Sequence, residues 1–217
     1  AASRMLHDGQ NPHFWINPLD HIKLADVGNM ALPLGQLEKS ITAITEQAAP
    51  FRHLISLGGD HMATYGLLKA LAAKMGPLGL IQFDAHTDAY PDCFGEPWGH
   101  GCVFRRALED KLIDPRRMVQ IGIRVPLDRG VSFWLLGRGV IIISSDEVHS
   151  TTPKLIAERV QRIMGAQPCY LTFDIDGLDP GQAPGTGTPE VGGLFTWQAI
   201  SIMRQLAGLN FVGMDVM

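Results

Sequence analysis

The chain has 217 residues, 46% of them hydrophobic and 18% charged, with a formal net charge of -4. This is enough to bury one sizeable core, and the absence of a Lys/Arg run argues against nucleic-acid or anionic-membrane binding. The longest apolar stretches, such as Gly139-Val140-Ile141-Ile142-Ile143, are strand-sized and too short to span a bilayer, and no secretory pattern of a basic stretch followed by an apolar one is visible.

In chain order the pattern alternates between apolar strands and amphipathic helices. Lys23 to Val27 reads as a strand, and Leu34 to Ala49 as a helix with Leu37, Ile41, Ile44 and Ala48 on one face. His53 to Leu57 reads as a strand ending at Gly58-Gly59, followed by a helix from His61 to Lys74 that stops near Gly76-Pro77. A strand over Leu78 to Phe83 precedes a Gly- and Pro-rich loop from Tyr90 to Cys102. Then come a short helix over Phe104 to Lys111, strands over Met118 to Ile123 and Val140 to Ile143, and a helix over Pro153 to Met164. A strand over Cys169 to Phe173, a loop over Gly181 to Pro189, a helix over Thr196 to Leu206 and a strand over Asn210 to Met214 complete the chain. Strands alternating with helices predict βαβ units and a parallel sheet covered on both faces, in one domain over residues 1–217. The cysteines Cys93, Cys102 and Cys169 are odd in number and irregular in spacing, which predicts neither a zinc ribbon nor a disulfide framework and fits a reducing, cytoplasmic setting.

Three segments carry chemistry: Gly58-Gly59-Asp60-His61, Asp84-Ala85-His86-Thr87-Asp88 and Asp174-Ile175-Asp176. Each follows a predicted strand, and in parallel sheets ligands bind beyond the carboxyl ends of the strands. Four carboxylates and two imidazoles without thiolate suit two hard divalent ions, Mn²⁺ first, with Fe²⁺, Co²⁺, Ni²⁺ and Zn²⁺ as alternatives. In extended chain, alternate side chains share a face, which would bring Asp84, His86 and Asp88 together, and likewise Asp174 with Asp176. Two ions would lower the pKa of a shared water and stabilise charge as hydroxide adds to an electrophile. Taken singly, each segment also reads as loop and cap residues; taken together, that many buried carboxylates would be costly without cations.

At these residues the chain resembles the ureohydrolase family of arginase, agmatinase and their guanidino-acid relatives. The resemblance rests on Gly58-Gly59-Asp60-His61, Phe83-Asp84-Ala85-His86-Thr87-Asp88, Phe173-Asp174-Ile175-Asp176-Gly177-Leu178-Asp179-Pro180 and Ala183-Pro184-Gly185-Thr186-Gly187-Thr188-Pro189. It implies a three-layer αβα sandwich with a mainly parallel central sheet, two Mn²⁺, and hydrolysis of a guanidinium group to urea and an amine. Carried over, it implies His61 and Asp88 as ligands of one ion, His86 and Asp176 of the other, and Asp84 and Asp174 as the bridging pair with a catalytic share. Trp98-Gly99-His100-Gly101 resembles the segment carrying a proton-shuttling histidine, and an imidazole titrates in the range that protonating a leaving amine requires.

The resemblance is strongest to the agmatinase branch, through Gly187-Thr188-Pro189-Glu190 and His100-Gly101-Cys102-Val103-Phe104-Arg105-Arg106. Tyr90 and Val125-Pro126-Leu127-Asp128 stand where arginase has its α-carboxylate and α-amine contacts, which disfavours arginine. Agmatine is the expected substrate, with guanidinobutyrate, guanidinopropionate or another guanidino acid as the alternative. A carboxylate tail would want Arg124, Arg105 or Arg106, although the last two also read as a solvated helix face. Against the family the chain reads as a fragment lacking the first strand and a C-terminal part, with the guanidinium-anchoring carboxylate expected beyond Met217. As such it is expected to bind metal, to turn over slowly and to have unpaired sheet edges. The family resemblance further implies a homo-trimer or hexamer. Two other readings compete: a non-catalytic homologue acting as a binding or partner subunit, and a mononuclear metal deacylase on a similar sheet.

Overall fold

The computed structural model describes residues 15–126 and 128–217. The chain divides into two compact units, Ala1–Ala31 and Leu32–Met217. In the first unit, Pro18–Asp20 forms a single 3-10 turn. Lys23 to Val27, predicted as a strand, is irregular and exposed. The segment runs into an Asx turn in which Gly28 N–H donates to Asp26 Oδ1 at 2.9 Å with Gly28 at φ 82. β-propensity without a neighbouring ladder does not make a strand.

The second unit is built from α1 (Leu37–Ala48), β1 (Ile55–Leu57), α2 (Met62–Met75), β2 (Leu78–Phe83), α3 (Val103–Glu109), β3 (Ile113–Ile123), α4 (Arg129–Leu136), β4 (Ile141–Ser144), α5 (Ser145–Ser150), α6 (Pro153–Met164), β5 (Cys169–Phe173), α7 (Thr196–Gln205) and β6 (Phe211–Val216). The six strands form one sheet in the order β1-β6-β5-β2-β3-β4, with every pairing parallel. The chain winds outward from β2 through β3 to β4, then crosses back to β5 and β6. The strand order therefore reverses between β5 and β2, which is where such sheets open a crevice for ligands.

The two faces of the sheet have different chemistry. Ile81, Phe83, Val119, Ile121, Ile143, Leu171 and Phe173 point to the face covered by α6 and α7, where they meet Ile156, Val160, Ala199 and Ile202 in a dry core. The alternate residues Gln82, Gln120, Thr172 and Asp215 are fully buried but polar. They lie on the other face, where the α2 residue Thr64 donates to Asp215. The α1 and α2 helices pack closely because Gly66 has no side chain: a Cβ there would lie 2.8 Å from Ile44 Cγ2.

The sequence reading misses two helices. In α4, the Asp128 side chain caps by accepting from the backbone N–H groups of Gly130 and Val131. In α5, Ser144 accepts from Glu147 N–H. Strand β3 begins at Ile113 rather than Met118, because Leu78 pairs with Ile113 and Leu80 with Met118, and the polar Asp114 to Arg117 segment bulges between them.

Candidate metal centre

Three strand ends in register bring the ligand-bearing loops together. Phe83 pairs with Phe173, and Asp174 N–H continues the ladder by donating to Phe83 O at 2.8 Å. Asp84 N–H donates to Ile121 O at 3.1 Å, and Gly58 N–H to Val216 O at 2.9 Å. His61 then stands at the N-terminal end of α2, 2% exposed.

The side chains converge through turns and not through extended chain, which corrects the alternation argument. His86 N–H donates back to Asp84 Oδ1 at 2.7 Å, and Asp88 sits at φ 46, in the left-handed region that few non-glycine residues occupy. Asp174 caps a 3-10 turn over Ile175–Gly177 by accepting from Asp176 N–H at 3.0 Å. Asp60 is exposed and accepts from Met62 N–H at 2.9 Å in the turn that leads into α2.

His61 Nδ1 lies 2.9 Å from Asp88 Oδ2 and 3.3 Å from both Asp84 Oδ2 and Asp174 Oδ2. His86 Nδ1 lies 3.0 Å from Asp176 Oδ2 and 3.5 Å from Asp84 Oδ1. The two oxygens of Asp84 thus face different imidazoles. Two groups of ligand atoms come close enough to share an ion each: His61, Asp84 and Asp174, and Asp84, His86 and Asp176. His61 Nδ1 is buried without a hydrogen-bond partner although carboxylate oxygens surround it. Spacings of this size are those between neighbouring ligands whose bonds to a small divalent ion are about 2.1 Å. The donor set therefore fits a cation.

The charges of these groups shift one another's protonation. Burial works against a charged His61, yet the surrounding carboxylates of Asp174, Asp84 and Asp88 outweigh it and the pKa is raised well above its ordinary value. Burial likewise opposes a charged His86, but Asp176 and Asp84 raise it to about 10. Burial pushes Asp88 up to about 6, with the charge of Asp84 adding to it. Burial also pushes Asp176 up, reinforced by Asp84 and Asp174. Asp84 goes the other way: burial would raise it, but the two imidazoles hold it below the usual carboxylate range.

Several groups that the sequence reading does not single out orient these ligands, most of them buried. Gln82 Nε2 donates to Asp84 Oδ2 at 2.7 Å, and Gln120 Nε2 donates to Gln82 Oε1 at 2.7 Å. Thr188 Oγ1 donates to Asp176 Oδ2 at 3.0 Å. Asp215 accepts from Thr64 at 2.8 Å, Tyr170 at 2.8 Å and Thr172 at 2.5 Å. Because the Thr172 hydroxyl proton is committed to Asp215, Thr172 Oγ1 accepts from His61 Nε2, 2.9 Å away. With the proton on Nε2, a neutral His61 presents the Nδ1 lone pair to the carboxylate cluster. The signal for all four strand residues was a polar side chain interrupting an apolar strand near its carboxyl end.

Other candidates stand elsewhere. His100 opens a 3-10 turn over His100–Cys102 and is exposed, with no hydrogen bond or ion pair to the six ligands. Arg124 donates to the carbonyls of Gly122, Asp176, Gly177, Leu178, Glu190 and Val191, so its guanidinium is saturated by backbone. Arg105 and Arg106 pair with Glu109, each at 2.6 Å, and line the surface of α3. A cleft of ≈ 360 Å³ opens among Leu57, Gly59, Ile175, Gly187 and Met217 and shares two of the ligand-bearing loops. Among the described residues no helix is long and apolar enough to cross a membrane.

A parallel three-layer α/β sheet with imidazole–carboxylate clusters at its switch point defines a candidate metallohydrolase scaffold. The chain belongs to the Arginase family, which it matches over residues 1–217. It is 41% identical over 205 residues to the guanidinobutyrase of Pseudomonas aeruginosa, covering 92% of this chain and 64% of that protein. It is also 41% identical over 209 residues to the mitochondrial agmatinase of Gallus gallus, covering 92% of this chain and 60% of that one. The crystal structure of a hypothetical agmatinase from Burkholderia thailandensis superposes with a TM-score of 0.86 at 41% identity, covering 94% of this chain and 64% of that chain. The chain thus spans under two thirds of the length of these relatives.

Proposed function

We propose that this chain carries the metal-binding core of a ureohydrolase that cleaves a linear guanidino compound to urea and an amine, with agmatine yielding putrescine. The observation that carries the reading is Asp84, whose two oxygens face His61 and His86 separately while His61 Nδ1 is left without a hydrogen-bond partner. In this reading His61 and Asp88 would hold one ion and His86 and Asp176 the other, with Asp84, common to both ligand groups, and Asp174 available to both. Two Mn²⁺ held by these residues would supply an activated water and charge stabilisation for attack on a resonance-stabilised carbon. The protein's own part is orientation: Gln82 fixes Asp84, Thr188 fixes Asp176, and Thr172 fixes the His61 ring. His100, exposed on its Gly-flanked turn, gives a proton to the departing amine nitrogen.

Agmatine is favoured over guanidino acids because the cations a carboxylate tail would need are engaged. Arg124 is consumed by carbonyls, and Arg105 and Arg106 by Glu109. The likeness to a guanidinobutyrase keeps guanidinobutyrate as the second reading. Urea release from agmatine, guanidinobutyrate, guanidinopropionate and arginine, measured beside Mn content, tests both. About two Mn²⁺ per chain and fastest release from agmatine support the proposal. One ion per chain, or preference for guanidinobutyrate, overturns its metal or its substrate part respectively.

A further inference from the structure

Cys93 and Cys102 are free thiols whose sulfurs stand 3.3 Å apart. They bracket the turn that carries His100. Cys102 is buried at the foot of α3, and Cys93 is partly exposed. The glycines on either side of His100 are notched against Cys93: a Cβ on Gly99 would lie 2.7 Å from Cys93 Cβ, and one on Gly101 would lie 3.0 Å from its sulfur. Cys93 also closes a tight turn with Glu96, exchanging backbone hydrogen bonds of 2.9 and 3.0 Å. Phe94 at the tip of that turn is fully exposed. The third thiol, Cys169, lies in the dry core of the sheet.

We propose that Cys93 and Cys102 are a redox modification site, which a small hydroperoxide such as hydrogen peroxide closes to a disulfide that ties down the His100 turn. Cys93 is the entry point because it is the partly exposed residue of the pair, while Cys102 is buried. Its thiolate attacks one peroxide oxygen, the S–O bond forms, the O–O bond breaks, and the second oxygen leaves as hydroxide and takes up a proton to become water. Cys93 is now a sulfenic acid, oxidised by two electrons. Cys102 then attacks the Cys93 sulfur: the S–S bond forms, the S–O bond breaks, and the leaving hydroxide departs as water with the Cys102 proton. Two thiols and one peroxide give one disulfide and two waters. Burial pushes the Cys102 thiol up to about 12, with Cys93 beside it, so it keeps its proton until that step.

A disulfide bond is about 2.05 Å long, so the sulfurs must approach by roughly 1.3 Å. The exposed Cys93–Glu96 turn supplies that movement, since Cys102 is held between buried Gly101, Val103 and Phe104. The closed ring spans Phe94 to Gly101 and restrains Trp98 and His100 within it.

The test is thiol mapping by mass spectrometry after treating the whole protein with one equivalent of hydrogen peroxide. A loss of about 2 Da, a Cys93–Cys102 cross-linked peptide, its reversal by dithiothreitol and an untouched Cys169 are the expected result. Cys102→Ser is expected to stop at a sulfenic acid on Cys93 that dimedone traps, and Cys93→Ser to leave Cys102 unoxidised. Amide exchange across residues 94–101 is expected to slow at least tenfold on oxidation. Sulfinic or sulfonic acid on Cys93 without a cross-link, a disulfide between two chains, or unchanged exchange in that turn would overturn the proposal. The wild-type map decides it even where a serine variant folds poorly.

Discussion

His61 depends on two opposite surroundings, a carboxylate cluster at Nδ1 and a hydroxyl at Nε2. The second sets up the first, since Thr172 accepts from Nε2 only while Asp215 holds the hydroxyl proton. Thr172→Val is expected to weaken divalent-metal affinity by about 10- to 100-fold, with Thr172→Ser restoring most of it. Asp215→Asn is expected to weaken it in the same direction and to cost about 1–3 kcal/mol of stability, because an amide cannot accept from all three hydroxyls. Competition against a fluorescent chelator reads the affinity. Serine and valine variants of equal affinity would remove Thr172 from the site. The same imidazoles give a pH dependence with a definite sign. Among these carboxylates His61 is raised and His86 stands at about 10, so both favour a proton near neutrality. A metal must displace those protons, and affinity is therefore expected to rise with pH up to about pH 10, with proton release on binding. Calorimetry in buffers of differing ionisation enthalpy counts the protons, and a pH-independent affinity would contradict the assignment.

Among the elements, the loop after β5 is tied to the end of β3 by the Arg124 side chain. Arg124, just past the end of β3, gathers six carbonyls from residues 122 to 191 and so fixes the backbone of Asp176. Arg124→Met is expected to loosen residues 176–194 in amide exchange and to reduce metal affinity while leaving the sheet intact. Arg124→Lys is expected to rescue little, because an ammonium cannot replace a planar five-donor fork. Full rescue by lysine would mean that charge and not geometry holds the loop. In the sequence Arg124 was legible only as a cation near the site, and its saturation by backbone depends on a fold that brings residue 190 beside it. Helices with a long apolar stripe, such as α6 over Pro153–Met164, were read to the residue. The short α4 and α5 were not, although Ser144 followed by Glu147 and Asp128 before the helix were cap signals in view. The six candidate ligands were legible because each ends a β-prone run. Gln82, Gln120, Thr172 and Asp215 were not singled out, since a polar residue within a buried strand acquires meaning only when neighbouring strands align such residues.

At the scale of the whole molecule, the sheet separates stability from chemistry. One face is an apolar core against α6 and α7. The other holds the polar row of Gln82, Gln120, Thr172 and Asp215 beneath the ligand loops at the carboxyl ends of the strands. Removing bound metal is therefore expected to leave the helix and strand content unchanged, because the dry core does not include the ligands. The folded state should nonetheless lose stability, since four carboxylates would then face one another with only imidazolium protons between them. Mass action sets the scale: a cation at 1,000 times its dissociation constant stabilises the native state by about 4 kcal/mol per site. Chelation should thus lower the melting temperature by several degrees, restorable by Mn²⁺, with an unchanged far-ultraviolet circular dichroism spectrum at 25 °C. Asp84→Asn should abolish most of that metal-dependent shift, because among the described residues Asp84 alone pairs with both imidazoles. Collapse of the far-ultraviolet spectrum on chelation would show instead that the metal site and the core fold as one unit.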